Sequence, residues 1–138
     1  MRIVTKRIET AKTLLEVSEI IKSFAYVVPK GRFEDNNFVI YCARRYKGGI
    51  LSLIPIKGTI IQQEKKTEIC LFLPAGFGFY LGGILIMLGI LILLGCLISH
   101  SPRWIPGVGA IIIGIAVGGQ FLREGNALLN RMEHKLLN

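Results

Sequence analysis

Two uninterrupted apolar runs constrain this chain more than any other feature. Residues 71–99 are 29 positions without a charge, and residues 104–122 are 19 positions whose one strongly polar side chain is Gln120. Only His100, Ser101, Pro102 and Arg103 separate them. A hydrocarbon core about 30 Å thick is crossed by about 20 apolar helical residues. Both runs meet or approach that length, and the four-residue separator predicts an antiparallel helical hairpin that returns to the side it left. The spans are expected over about 76–98 and 104–122, inside a hairpin domain covering 74–122. Pro74 suits the first turn of the first span, where its missing N–H is harmless.

The charge is distributed around the hairpin rather than within it. Residues 1–68 hold thirteen Lys/Arg against seven Asp/Glu, the turn adds Arg103 alone, and the tail 123–138 holds three against two. Lys and Arg flanking spans are retained on the cytoplasmic side, so the sequence predicts both termini inside the cell. Membrane-surface basic residues are expected at Arg44, Arg45, Lys47, Lys65, Lys66 and Arg123. The Arg44-Arg45-Tyr46-Lys47 cluster reads either as a solvated, positive-inside loop or as a contact for anionic headgroups. The basic charges are dispersed and carry no nucleic-acid motif, so nucleic acid is not an expected partner. The first residues, MRIVTKRIETAK, lack the apolar core of a cleaved signal peptide, so the first span is expected to serve as its own targeting signal. Cys42, Cys70 and Cys96 have neither metal-ligand nor CxxC spacing and read as free thiols.

The first 73 residues read as a β-α-β-β-β-β module. A β-branched strand over 2–8 is followed by an amphipathic helix over about 10–24, with Thr10 as its N-cap and Leu14, Val17, Ile21 and Phe24 at helical spacing. Residues 32–34 and 38–44 read as strands around an Asp35-Asn36-Asn37 turn. Pro55 predicts an edge or a bend within 51–63, and Glu64-Lys65-Lys66 a polar turn before a strand over 67–73. The tail 123–138 reads as a separate amphipathic helix, with Gly125 kinking or interrupting its junction with the second span. The fold class expected is therefore an α+β membrane protein. It combines a small antiparallel sheet, one N-terminal helix, a two-helix transmembrane hairpin and a C-terminal amphipathic helix.

Small residues are ordered along both spans. Gly82 and Gly89 stand seven apart, and Gly107, Ala110, Gly114 and Gly118 follow three- and four-residue steps. Small stripes let helix backbones approach closely in lipid, where packing replaces the hydrophobic effect. The two stripes either face each other within one hairpin or serve self-association and docking on a larger membrane protein. No ionisable residue lies within either run, which argues against a proton path or ion pore. Neither HExxH, GxSxG nor a glycine-rich phosphate loop occurs. No catalysis and no cofactor or metal are expected.

Several short stretches carry a resemblance: Gly31-Arg32-Phe33 with Asn37-Phe38-Val39-Ile40, then Ile56-Lys57-Gly58-Thr59-Ile60, then Leu73-Pro74 leading into the first span, and the final helix over 127–137. In this order the chain resembles a group of small, uncharacterised bacterial membrane proteins with two transmembrane helices. It departs from their pattern at Glu64-Lys65-Lys66-Thr67, where they have a Gly-Thr turn. The resemblance implies a helix-grip-like arrangement, with the sheet cradling the terminal helix and the hairpin inserted before that helix. It implies the bacterial cytoplasmic membrane as the location and no activity. The function expected is a non-enzymatic membrane protein whose hairpin anchors a small cytosolic protein-interaction module, with self-association or a larger membrane-protein partner. A lipid- or amphiphile-binding module and a small membrane-perturbing effector are the alternatives.

Overall fold

Strict alternation along the strands sorts the first half of the chain into a covered and an open sheet face. The computed structural model describes residues 2–26, 33–34, 36–46 and 49–138, with backbone alone for 2, 33–34, 44–46 and 49–52. The elements run β1 (Arg2–Thr10), α1 (Leu14–Phe24), β2 (Phe33–Glu34), β3 (Asn37–Tyr46), β4 (Gly49–Gln62), β5 (Thr67–Pro74), α2 (Phe77–Ile98) and α3 (Ile105–Leu137). The fold is α+β. Four long antiparallel strands and the two-residue β2 form one sheet in the order β1-β5-β4-β3-β2. The chain divides into two units, Met1–Pro74 with Gly125–Asn138, and Ala75–Glu124. Both α2 and α3 are long and apolar enough to cross a membrane.

In the first unit, register aligns the apolar positions across the sheet. Ile8 lies beside Ile69, which lies beside Ile60, and Ile56 lies beside Ile40. These five, with Phe38, Leu71 and Leu73, are buried together with Val17 and Ile21 of α1 and Leu129, Met132 and Leu136 of α3. Each such side chain contributes about 1.5–3 kcal/mol by leaving water. The end of α3 is tied to the same layer. Lys6 pairs with Glu133, Thr10 Oγ1 donates to the Leu136 carbonyl at 2.9 Å and Lys12 Nζ to that of Lys135 at 3.0 Å. The last two contacts satisfy carbonyls that a helix terminus leaves unpaired.

Two boundaries differ from the sequence reading, and one expected edge is found. The cap of α1 is Thr13, not Thr10. Thr13 N donates to Glu16 Oε2 at 2.8 Å while Thr13 Oγ1 accepts from Glu16 N at 3.4 Å, and a carboxylate three residues on is what closes a capping box. Thr10 instead ends β1 opposite Thr67. Pro55 lies at an edge, one of the two expectations for it: β4 is continuous, but its ladder with β5 stops at Lys57–Phe72, so Pro55 has β3 as its neighbour on one side only. The expected separate tail helix is the end of one 33-residue helix, α3. Gly125 continues it, at a cost of about 1 kcal/mol against alanine. It is buried because a Cβ there would run into the Leu73 side chain.

In the second unit, α2 ends in a Schellman motif. Ser101 N donates to the Cys96 carbonyl at 3.0 Å and His100 N to that of Leu97 at 3.4 Å. His100 occupies the left-handed position with φ of 50°, where glycine is favoured. His100→Gly is expected to stabilise the hairpin by about 0.5–1 kcal/mol, the relieved left-handed strain less glycine's extra unfolded-state entropy. Equilibrium unfolding in detergent micelles measures it.

Candidate functional site

The hairpin is built with its small residues inside and its large apolar residues outside. Gly82, Gly89, Gly107 and Gly114 are buried. A Cβ built on Gly82 would lie 2.7 Å from the Gly114 carbonyl oxygen and 3.1 Å from Gly118 Cα, and one on Gly89 would lie 2.6 Å from the Gly107 carbonyl oxygen. Gly78 likewise leaves room for the Phe121 ring, 3.3 Å from where its Cβ would stand. The structure thus brings Gly82, Gly89, Gly107, Gly114 and Gly118 together along the seam between α2 and α3, while Ala110 on α3 is half-buried. The seven-residue steps 82–89 and 107–114 keep the contact in phase over two levels. Backbone-to-backbone packing of this kind uses Gly82, Gly89, Gly107 and Gly114 within one chain. Gly83, Gly95, Gly109, Gly118 and Gly119 have nothing within 4 Å of where a Cβ would stand, so small surface also remains outside the seam.

Outside the seam the pattern reverses. Leu97 is 73% exposed, Ile98 80% and Ile105 70%, and Ile84, Met87, Leu91, Ile112 and Ile115 are exposed as well. Phe79, Tyr80, Gly83, Ile84, Met87 and Leu88 border an apolar groove of about 480 Å³ along α2. The one strongly polar side chain of the second apolar run is satisfied locally, since Gln120 Nε2 donates to Glu124 Oε1 at 3.2 Å.

The basic residues do not form one patch. Lys65 and Lys66 are exposed in the β4–β5 turn, with Lys66 3.5 Å from Glu9. Arg123 is exposed on α3. Arg44 and Arg45 lie at a register shift near the far end of β3, where Arg44 is opposite Ser52. Ser52 and Gln62 are ten residues apart on one strand, about 33 Å at 3.3 Å per residue, so the two groups mark opposite ends of the sheet. The side chains of Arg44 and Arg45, and the whole of Lys47, lie outside the described residues, as does Asp35 of the expected turn.

The open face of the sheet was not readable beforehand. The register that buries Ile40, Ile56 and Leu71 turns Val39, Tyr41, Leu53, Pro55, Ile61 and Phe72 the other way. Leu53 and Ile61 are exposed and the other four are half-buried. Lys57 stands among them, between Val39 and Phe72. Only the strand register, which the sequence does not supply, shows that these residues share a surface.

Two ionisable groups of the sheet are paired with each other. Arg7 pairs with Glu68, whose side chain is 9% exposed. The Arg7 hydrogen bond holds the Glu68 carboxyl below the usual carboxylate range, and Glu68 raises Arg7 in turn. A carboxyl depressed on folding contributes stability above its unfolded pKa and loses that contribution as pH falls through its folded value. Glu68→Gln is therefore expected to flatten the acid arm of the stability profile, read from thermal midpoints by circular dichroism. An unchanged acid arm would contradict it. Burial pushes the Cys42 thiol up to about 11, which leaves it an unreactive core residue at neutral pH. Cys70 and Cys96 are also free thiols. Among the described residues, no group of three His, Cys, Asp or Glu is placed to hold a metal ion.

No known protein family, no curated protein and no solved structure matches the chain.

Proposed function

We propose that this chain is a non-enzymatic integral membrane protein whose hairpin, α2 with the first part of α3, anchors a small cytosolic α+β module that binds a protein partner. The observation that carries this reading is the inverted packing of the hairpin. Glycines fill the seam and Ile, Leu and Met cover the outside. In water that arrangement wastes the hydrophobic effect, because contiguous apolar patches beyond a few hundred Å² are rare on soluble monomers. In lipid it is favourable, because side chains as apolar as the acyl chains gain nothing by hiding and close backbone packing decides the contact. Helices in the core of a soluble protein would instead bury their large residues.

Orientation follows from charge. The hairpin tip holds Arg103 alone, while Lys65, Lys66, Arg123 and Arg131 flank the other ends, which favours both termini inside a bacterial cytoplasmic membrane. The absence of any Asp or Glu between Glu68 and Glu124 argues for an anchor rather than a conduit. The half-apolar open face of the sheet supports partner binding by the module. The enclosed amphiphile-binding alternative has less support, since the layer between sheet and helices is filled by Phe38, Ile40, Ile56, Leu71, Leu129, Met132 and Leu136, all essentially buried.

Two experiments test the proposal. The chain should stay in the pellet after alkaline carbonate washing of membranes; release into the supernatant would refute the anchor. A photo-crosslinking residue at Ile61 or Leu53 should capture a protein in living cells, whereas one at exposed Ser23 on α1 should not. Equal yields at all three sites would remove the sheet face as the interaction surface.

A further inference from the structure

We propose that the closed end of the hairpin binds the phosphodiester of an anionic phospholipid, with an acyl chain laid along Leu93 and Leu97. This rests on the membrane reading above and adds a site to it. A groove of about 480 Å³ lies there, lined by Leu93, Cys96 and Leu97 from α2 and by His100, Ser101 and Trp104 from the turn and the residue before α3. Its lining divides along its length. The α2 positions recur at three- and four-residue steps on one helical face and are apolar apart from one thiol. The turn positions bring an imidazole, a hydroxyl and an indole N–H, all hydrogen-bonding groups. An amphiphile has the same division.

The turn carries one charge, Arg103, which follows the lining residues His100 and Ser101 and precedes Trp104. Arg103 is exposed, and its backbone is pinned to the groove wall. Its N–H donates to Ser101 Oγ at 3.4 Å and its carbonyl accepts from Cys96 Sγ at 3.1 Å, both on groove residues. The Schellman turn fixes the His100 backbone beside it. No acidic residue lies between Glu68 and Glu124, so no acid within the turn neutralises the guanidinium. A planar guanidinium matches a phosphodiester with paired charge-assisted hydrogen bonds. The apolar end of the groove, at Leu93, lies on α2 beside the exposed Leu91 and Leu94. The medium that covers those side chains in the membrane reading is acyl chain, so a lipid reaches both ends of the groove at once. An anionic lipid is favoured over a zwitterionic one because no choline or ethanolamine cation competes for its phosphate.

The chain's single tryptophan, Trp104, lines this groove and reports on it. The full chain is reconstituted in vesicles of phosphatidylcholine and phosphatidylglycerol, with one lipid or the other brominated near the headgroup. Brominated phosphatidylglycerol is expected to quench Trp104 at about five- to tenfold lower mole fraction than brominated phosphatidylcholine. Arg103→Ala should abolish that preference, Arg103→Lys should keep part of it, and Arg123→Ala should leave it intact. Equal quenching by both lipids in the native chain would overturn the site while leaving the anchor standing. Quenching by neither would overturn the membrane reading itself. A preference that survives Arg103→Ala would also overturn the proposal, since its cation would then play no part.

Discussion

Replacing Gly82 and Gly89 together by leucine is expected to force α2 and α3 apart and abolish the native hairpin. The obstruction is backbone at Gly82, and at Gly89 it is backbone together with the Ile111 side chain at 2.6 Å. A Cβ at Gly82 meets the Gly114 carbonyl oxygen at 2.7 Å and the Gly118 N at 3.0 Å, and one at Gly89 meets the Gly107 carbonyl oxygen at 2.6 Å. A flexible neighbour could rotate away; a helix backbone cannot, so the axes must separate and the contacts on either side are lost with them. Overpacking a tight interface typically costs about 1–3 kcal/mol per site. Two sites on adjacent levels of one seam should bring the total to about 2–6 kcal/mol. Gly83→Leu supplies the comparison, because a Cβ there has nothing within 4 Å and should change stability by less than about 0.5 kcal/mol. Unfolding in mixed micelles, followed through Trp104, separates the two outcomes. Similar losses at Gly82 and Gly83 would show that the seam is not where the structure places it.

Ending the chain after Glu124 is expected to unfold the sheet module. The removed segment, Gly125–Asn138, belongs to the same unit as the sheet and carries Leu129, Met132 and Leu136, each with 0% exposure. At about 1.5–3 kcal/mol per fully buried side chain, their loss removes roughly 5–9 kcal/mol, against a total of about 5–15 kcal/mol for a typical domain. The carbonyl contacts from Thr10 and Lys12 and the Lys6–Glu133 pair go with them. Amide hydrogen exchange should show lost protection across β1, β3, β4, β5 and α1. Met132→Ala alone should cost about 2–5 kcal/mol. A truncated chain with native protection in β5 would mean that α3 is not part of the module's core.

What the sequence revealed and what it withheld have separate physical origins. The apolar runs were legible because span length and the absence of charge are one-dimensional properties; α2 and the first part of α3 cover most of them, while residues 71–74 end β5. Alternation exposed β3 and β5 for the same reason: their covered positions, Phe38, Ile40 and Cys42, then Ile69, Leu71 and Leu73, repeat every second residue. The start of α1 was misread because Thr10 and Thr13 are both competent caps, and only the reciprocal bond to Glu16 separates them. Gly125 was ambiguous in a like manner. A glycine late in an apolar pattern marks either a break or a close approach, and the Leu73 side chain, more than fifty residues away in sequence, makes it the second.

The candidate surfaces show the same division. The period of the glycine stripes was visible, but the identity of the facing helix was not, because intrachain and interchain packing in lipid use identical residues. Here Gly82 and Gly89 meet Gly114 and Gly107 of the same chain. The positive charges were countable, yet the length of β4 sets Arg44 and Arg45 at one end of the sheet and Lys65 and Lys66 at the other. The open face of Val39, Tyr41, Leu53, Pro55, Ile61 and Phe72 exists only through the pairing of three strands. The tip groove requires the left-handed His100, a conformation that a histidine does not announce.

The central claim, a hairpin threaded through lipid with both ends of the chain on the inner side, is tested most directly by labelling single cysteines in intact cells. In a chain with its native cysteines replaced by serine, Ser101→Cys in the turn and Asn138→Cys at the C-terminal end are probed with a membrane-impermeant maleimide. The turn should label from outside the cell, and the C-terminal position only after the membrane is opened. Equal labelling of the two positions before permeabilisation, or labelling of the C-terminal position alone, would contradict the account.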